Sequence, residues 1–343
     1  MSSLRPVSGT ADELLALLRD FEAARDPAPL VVATSGSTGE PKRVVLSRGA
    51  LRASADATSA RLGGPGQWLL NLPPSYVAGL QVLFRSVRAG TTPVVQDGTF
   101  ADAATAMTGE RRYVSLVPTQ LHRMLDDEEN TAALRTFSTV LVGGAAVPPA
   151  LRERAADAGV RVVATYGMSE TCGGCVYDGV PLDGVAVALS AEGRVRLTGP
   201  VLFDGYEGRD DLTAEVMRDG WFVTSDAGRL DEDGRLQVLG RVDDVLLSGG
   251  VNVPAPAVAA RLREHPAVRD AEVVGVPDDE WGQRVVALVV LDEGRDLDLD
   301  AARDWVAAVH PRSWAPRGLR QVDAIPLLHN GKVDRLALQD AAR

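Results

Sequence analysis

Residues 30–48 read LVVATSGSTGEPKRVVLSR, and the fold follows from how they are read. Leu30 to Ala33 and Val44 to Leu46 are short apolar, β-prone runs. Between them Thr34, Ser35, Gly36, Ser37, Thr38 and Gly39 form a loop of hydroxyl residues and glycine, followed by Pro41 and Lys42. The pattern predicts strand, loop, strand. Gly36 and Gly39 carry no Cβ, so the backbone can come close to a ligand there. Successive N–H groups in such a turn make an anion-binding concavity. The four hydroxyls add donors and Lys42 adds a cation, a set that suits a polyphosphate. The common phosphate loop, G-x-x-x-x-G-K-[ST] opening a helix, does not fit, because Pro41 precedes the lysine and a strand follows. A flexible Gly/Ser linker would need neither the flanking strands nor the Pro-Lys ending.

Outward from the loop, strand and helix alternate. Leu14, Leu17, Leu18 and Phe21 lie at helical spacing in residues 11–25, ahead of the loop. Residues 49–61 read as a helix behind it. Trp68 to Leu72 is strand-like, Pro73 and Pro74 end it, and Val77 to Val87 is predicted helical. Residues 113–118, 139–142 and 160–165 read as buried strands, separated by helical stretches at Pro118–Leu125 and Pro149–Ala158. This alternation predicts a layered α/β sheet. Two strand ends carry unusual loops, Gly143-Gly144-Ala145-Ala146 and Tyr166-Gly167-Met168-Ser169-Glu170-Thr171. Ligands of open α/β sheets bind beyond the carboxyl ends of strands, where both loops fall. After about residue 242 the pattern becomes that of a small α+β unit: a helix at 255–264, strands at 268–276 and 284–291, a helix at 300–309, a strand at 319–325 and a helix at 333–341.

Composition narrows the function. With 343 residues the chain has room for two domains, and 45% hydrophobic with 24% charged residues is ordinary for a soluble globular protein. The formal charge of −11 argues against a nucleic-acid partner, which wants a basic face. No signal-peptide core precedes the first helix, and the longest apolar run, Val285 to Leu291, is far too short to span a bilayer. A cytoplasmic protein without a transmembrane segment is the expectation; a homodimer is left open. Cys172 and Cys175 form a C-x-x-C, but no second pair exists and the four histidines lie far off in sequence. Two small residues lining a turn is the better reading.

The string TSGSTGEPK resembles the phosphate-loop signature of the adenylate-forming superfamily, which includes acyl-CoA synthetases, adenylation domains and luciferases. Further motifs follow in that superfamily's order. YGMSET at 166–171 is similar to its adenine- and metal-contacting motif. The resemblance implies that Tyr166 and Gly167 bind the nucleotide, that Met168 lines the acyl site, and that Glu170 and Thr171 are catalytic, with Glu170 the Mg²⁺ ligand. A glutamate is a hard oxygen donor suited to that ion. Gly143, Gly144 and Ala145 resemble the segment walling the adenine and acyl pockets. Asp226, in WFVTSD, matches the acid that bonds both ribose hydroxyls, and two acceptor oxygens suit two neighbouring hydroxyls. GRVDDVLLSGG at 240–250 resembles the hinge, making Arg241 a nucleotide contact and Asp243 the pivot. The expected boundary therefore separates residues 1–241, an ATP- and acyl-binding domain, from 242–343, a small mobile domain. Its loop Ile325–Arg335 matches the superfamily's C-terminal lysine loop, with Lys332 the catalytic lysine.

Departures from the pattern are specific. The stretch before the phosphate loop is shorter than in most of the superfamily. Tyr76-Val-Ala-Gly79 stands where an H-x-x-G turn is usual, so an aromatic gate is kept and an imidazole lost. The two acids of N-V-Y-P-x-E-V-E are absent from Asn252–Ala259. The resemblance implies a two-step reaction using ATP, Mg²⁺ and coenzyme A: an acid is adenylated, then transferred to a thiol. The short N-terminus and the strings LPPSYVAGLQVLFRS and YGMSETCGGCVYDGVPLDGV look most like the o-succinylbenzoate–CoA ligases of menaquinone biosynthesis. That likeness places Arg85, nine residues after Tyr76, against the second carboxylate of the acid. Loading of a carrier-protein thiol, a silent nucleotide-binding regulator and a luciferase-type oxygenase are the competing readings. Retention of Lys332, Glu170 and Asp226 speaks against the silent regulator.

Overall fold

The structure, a computed structural model, describes residues 4–34, 42–241, 245–327 and 333–343. It divides into two compact units. One holds Met1–Ala188, Arg196–Thr224 and Asp231–Leu236; the other holds Leu189–Val195, Ser225–Leu230 and Gln237–Arg343.

The first unit is built on a seven-stranded sheet. Strands Val94–Val95, Gln67–Leu70, Arg112–Leu116, Thr139–Val142 and Val162–Met168 lie side by side and parallel, in that order. Gly173–Tyr177 and Val180–Pro181 continue the sheet antiparallel. Parallel strands are covered on both faces, which is why they read as unbroken apolar runs. The buried residues of one face include Leu69, Val114, Leu116, Val140 and Val142, packed on helices Phe100–Thr105, Pro118–Leu125, Glu128–Arg135 and Pro149–Asp157. Helices Ala11–Ala23, Arg48–Arg61 and Val77–Ala89 pack against one another elsewhere in the unit. A second, four-stranded sheet runs Arg5–Pro6, Leu30–Ala33, Arg43–Leu46, Gly205–Tyr206. The two strands flanking the phosphate loop are therefore antiparallel neighbours, with Leu30 opposite Leu46 and Ala33 opposite Arg43.

One expected loop is a strand. The sequence places a loop directly after Thr165, but the strand runs on to Met168. The reason is its partner: Gly173–Tyr177 folds straight back and pairs Tyr166 with Val176 and Met168 with Gly173. Only the four residues Ser169–Cys172 leave the ladder, Ser169–Thr171 as a single 3₁₀ turn capped by Cys172.

Residues 186–241 add the strands Ala186–Leu189, Arg194–Thr198, Met217–Arg218, Trp221–Leu230 and Leu236–Arg241, and the division between the units falls among them. The second unit contains the sheet Val251–Pro254, Val245–Ser248, Gly282–Leu291, Val268–Asp278, with Gly318–Gln321 paired parallel to Gly282–Leu291. Helices Ala255–Arg263 and Leu299–Ala307 cover one face, burying Val258, Leu262, Val285, Ala287, Val289 and Val306. Helix Arg335–Ala342 covers the other, over Val274, Val286, Leu288 and Val290. The alternation along Val285–Val290, odd residues to one face and even to the other, is the period of two a two-sided buried strand requires. No helix among the described residues is long and apolar enough to cross a membrane.

Candidate active site

The base of the phosphate loop is closed by a pair of residues at its ends. The Thr34 N–H donates to the Lys42 carbonyl at 2.8 Å, and the Lys42 N–H donates to Thr34 Oγ1 at 3.1 Å. Ser35, Gly36, Ser37, Thr38 and Gly39 lie outside the described residues. Lys42 itself is exposed, and its Nζ sits 5.1 Å from the centre of the Tyr206 ring, within range of a cation–π contact. No carboxylate pairs with it among the described residues.

The second wall comes from the ends of two parallel strands. At Gly143 a Cβ would stand 2.4 Å from Thr165 Oγ1, and at Gly167 it would stand 2.1 Å from the Gly173 carbonyl oxygen. Only glycine allows the Thr165 side chain so close at the first position and the Gly173 backbone so close at the second. Gly144 has φ +83°, a left-handed conformation, and Ala145 follows it in the loop. Tyr166 and Met168 are half-buried in the strand. The Thr171 hydroxyl is fully buried; it accepts from the Met168 N–H at 2.9 Å and donates to the Gly173 carbonyl at 2.7 Å. Its hydroxyl is thus spent on the backbone of the turn that carries Glu170. Glu170 is 8% exposed, and its Oε1 accepts from the Tyr206 hydroxyl at 2.7 Å. Burial first, and the charge of Glu170 second, raise the pKa of Tyr206, so this hydroxyl is a firm donor.

A third group of residues follows helix Val77–Ala89. Tyr76 is its N-cap, half-buried, and Gly79 packs onto the Pro73 carbonyl, where a Cβ would stand at 2.3 Å. Further along the helix a buried polar seam begins. Gln81 Nε2 and Ser54 Oγ both donate to the Cys172 carbonyl, at 2.8 and 3.0 Å. One turn on, Arg85 Nη2 donates to Thr58 Oγ1 at 3.2 Å, and that hydroxyl lies 3.0 Å from the Tyr177 hydroxyl. The Arg85 guanidinium lies 4.9 Å from the Trp68 ring centre. Burial pulls its pKa below that of an ordinary arginine, opposed by Tyr177. Its Nε has no partner among the described residues, nor does Gln81 Oε1 or either side-chain polar atom of Asn71. Arg85 also borders a cavity of about 60 Å³ with Ser59, Gly64, Gly66, Trp68 and Tyr113. Cys172 and Cys175 are free, buried thiols at the back of this seam, Cys172 with φ +52° at the end of the 3₁₀ turn.

Asp226, in strand Trp221–Leu230, and Arg241, the last residue of strand Leu236–Arg241, belong to the second unit. Asp243 and Lys332 lie outside the described residues. The flanks of the lysine loop, Leu327 and Val333, meet in an antiparallel bridge, and the Asp334 N–H donates to the Pro326 carbonyl at 2.9 Å.

The model of the AMP-binding enzyme family matches residues 15–209, and that of the AMP-binding enzyme C-terminal domain matches residues 257–332. The chain belongs to the AMP-binding enzyme family. Among its relatives is the probable 2-succinylbenzoate–CoA ligase of Mycobacterium tuberculosis, 47% identical over 95% of this chain and 88% of that protein. The 2-succinylbenzoate–CoA ligase of Bacillus cereus is 36% identical over 78% of this chain and 61% of its own length. Among solved structures, the o-succinylbenzoate–CoA synthetase of Bacillus subtilis in complex with its acyl-adenylate intermediate superimposes with a TM-score of 0.79. That match is 29% identical and covers 91% of this chain and 69% of the other. The same synthetase has been solved with ATP and a magnesium ion.

For an AMP-binding enzyme the donor set fits a metal held mainly by its substrate. No group of three His, Cys, Asp or Glu side chains capable of holding an ion exists among the described residues. Glu170 offers one carboxylate oxygen that carries no hydrogen bond there, the other being held by Tyr206. One carboxylate plus phosphate oxygens is the usual manner of binding Mg²⁺. Tyr206 is the residue that sequence reasoning missed. It lies in Asp204-Gly-Tyr-Glu-Gly208, a stretch with turn residues and no periodicity, and only the pairing of Tyr206 with Val44 brings it beside Lys42. Gln81 and Asn71 were missed because a polar residue in an apolar helix or at a strand end carries no sign of what it faces.

Proposed function

We propose that this AMP-binding enzyme is an o-succinylbenzoate–CoA ligase acting in menaquinone biosynthesis. In the first step a carboxylate oxygen of the acid attacks the α-phosphorus of ATP and pyrophosphate leaves. In the second the thiol sulfur of coenzyme A attacks the acyl carbonyl, AMP leaves, and the thiol proton is released. The observation that carries the substrate is Arg85: a buried guanidinium with no carboxylate partner among the described residues. An unpaired buried charge is costly, and a second carboxylate on the acid would relieve it through charge-assisted hydrogen bonds, directly or through water. A simple fatty acid offers nothing for this cation to hold. The relatives named for 2-succinylbenzoate support the same reading.

The roles assigned to this chain's residues follow from charge management. The phosphate loop Thr34–Gly39 and Lys42 take the β- and γ-phosphates. Tyr166 presents a flat face to the purine, backed by Gly143, Gly144, Ala145 and Gly167, while Asp226 and Arg241 serve the ribose and phosphate. Tyr76, Met168 and Arg85 bind the acid. Thr171 shapes the turn that aims Glu170. When bound, Mg²⁺ neutralises phosphate charge, and Glu170 would hold it. Lys332 offsets charge developing on the α-phosphate and carboxylate oxygens in the first step, in the domain that begins at residue 242 and pivots at Asp243. A cytoplasmic location, where ATP and coenzyme A are at hand, goes with this reading.

Acid-dependent exchange of pyrophosphate into ATP, followed by thioester formation with coenzyme A, tests the reading. The acids to compare are o-succinylbenzoate, benzoate and a medium-chain fatty acid. Thioester is expected from o-succinylbenzoate at the highest kcat/KM. Faster turnover of the fatty acid would overturn the substrate assignment, and exchange without any thioester would overturn the ligase.

A further inference from the structure

Tyr206 lies where two otherwise separate parts of the site meet. It is 4% exposed and pairs with Val44 across the short strand Gly205–Tyr206, two residues beyond Lys42. Its backbone is fixed on both sides: the Tyr206 N–H donates to Thr213 Oγ1 at 2.9 Å, and Gly205 adopts φ +145°. Its ring packs edge-on against Phe203, 5.0 Å away, and Phe203 in turn donates its N–H to the Glu170 carbonyl at 2.9 Å. One side chain therefore touches both the lysine of the phosphate loop, at 5.1 Å from the ring centre, and the acid of the strand end, at 2.7 Å from the hydroxyl. No ion pair joins Lys42 to a carboxylate among the described residues. A bare lysine and glutamate sharing this neighbourhood would be drawn together, and neither would then be free for a phosphate or a metal.

We propose that Tyr206 is a positioning residue for the first half-reaction: its hydroxyl holds one oxygen of Glu170 and turns the other outward, while its ring seats the Lys42 ammonium apart from that carboxylate. This rests on the reading that Lys42 and Glu170 serve the triphosphate. The geometry gives the two halves of the side chain separate tasks. The hydroxyl acts through Glu170 and so on metal-dependent steps. The ring acts through Lys42 and so on the nucleotide with or without metal. A tyrosine whose only task was packing would be replaced by phenylalanine at little cost, because the ring contacts with Phe203 and Lys42 are kept.

The test uses the full chain with Tyr206→Phe, Tyr206→Leu, Glu170→Gln and Lys42→Ala. Binding of a non-hydrolysable ATP analogue is measured by calorimetry with and without Mg²⁺, beside pyrophosphate exchange, thioester formation from supplied acyl-adenylate, and melting temperature. Tyr206→Phe is expected to melt like the wild type and bind the analogue normally without Mg²⁺. With Mg²⁺ it should bind about tenfold more weakly, and exchange should slow by about ten- to a hundredfold, the range for a hydrogen bond to a charged group. Thioester formation from supplied adenylate should be unchanged. Tyr206→Leu should also weaken binding without Mg²⁺, and Tyr206→Phe should add little in the Glu170→Gln background. If Glu170→Gln impairs exchange while Tyr206→Phe does not, the inference fails and the site reading stands. Equal loss of both half-reactions with a lowered melting temperature would make Tyr206 structural and overturn it. If neither Glu170→Gln nor Lys42→Ala alters nucleotide binding, the reading of the site itself falls.

Discussion

At the scale of single residues, the buried polar groups decide most. Arg85 has Thr58, Tyr177 and Trp68 around it, but its Nε is unused and no carboxylate reaches it among the described residues. Arg85→Ala is therefore expected to raise KM for o-succinylbenzoate about ten- to a hundredfold, the ~1.5–3 kcal/mol of a charged hydrogen bond, and to leave KM for ATP nearly unchanged. Steady-state kinetics with each substrate varied in turn checks this; an equal rise in both values would reduce Arg85 to a packing residue. The two thiols lead to a pH prediction. Burial pushes both up, that of Cys175 from 9.0 to about 12. The folded chain thus holds these protons more tightly than the unfolded chain does. Their contribution to stability is complete below pH 9 and is lost as the pH rises from 9 toward about 12. Melting temperature should fall more steeply above pH 9 in the wild type than in Cys175→Ala.

At the scale of elements, the site depends on how closely two strands approach. Val162–Met168 and Gly173–Tyr177 are joined by a four-residue turn, and Gly167 lies against the backbone of Gly173 and Gly174. The sequence motif shows the glycine but not its purpose, since a glycine read alone signals a loop. In the structure it permits a ladder, and the ladder fixes the direction in which Ser169–Thr171 carries Glu170. Gly167→Ala would place a methyl 2.1 Å from a carbonyl oxygen that cannot swing aside. It is expected to destabilise the fold by about 1–3 kcal/mol, the cost of overpacking, and to reduce adenylation beyond that loss of folded protein. Denaturant unfolding and exchange rates measured on the same preparation would show both; unchanged stability would mean that the strands can part at no cost.

At the scale of the whole molecule, the chain forms two compact units, and Lys332 tests how the proposed reaction is divided. If this lysine serves only the first half-reaction, Lys332→Ala should lose pyrophosphate exchange by orders of magnitude and still convert supplied acyl-adenylate to thioester. Equal failure of both steps, followed separately by chromatography, would refute the division. Much of the fold and the family was legible in the chain. Lys42 and Lys332 are the only two lysines among 36 basic residues, and each closely follows a glycine in sequence, Gly39 and Gly331. A compact ammonium appears only there, with arginine used everywhere else. Contiguous motifs such as TSGSTGEPK and YGMSET are readable because a loop between two strands, or a strand end that carries an acid, is made from neighbours in sequence. The apolar runs likewise determined the alternating sheet and the small second unit, because burial imposes its period on every strand and helix. What the sequence could not contain is contact between distant residues. Tyr206 against Lys42 and Glu170, Gln81 and Ser54 on one carbonyl, and Arg85 between Trp68 and Thr58 all join positions from 17 to 164 residues apart. Those pairings are set by strand register and helix packing, which depend on the whole core, and only the folded chain decides them.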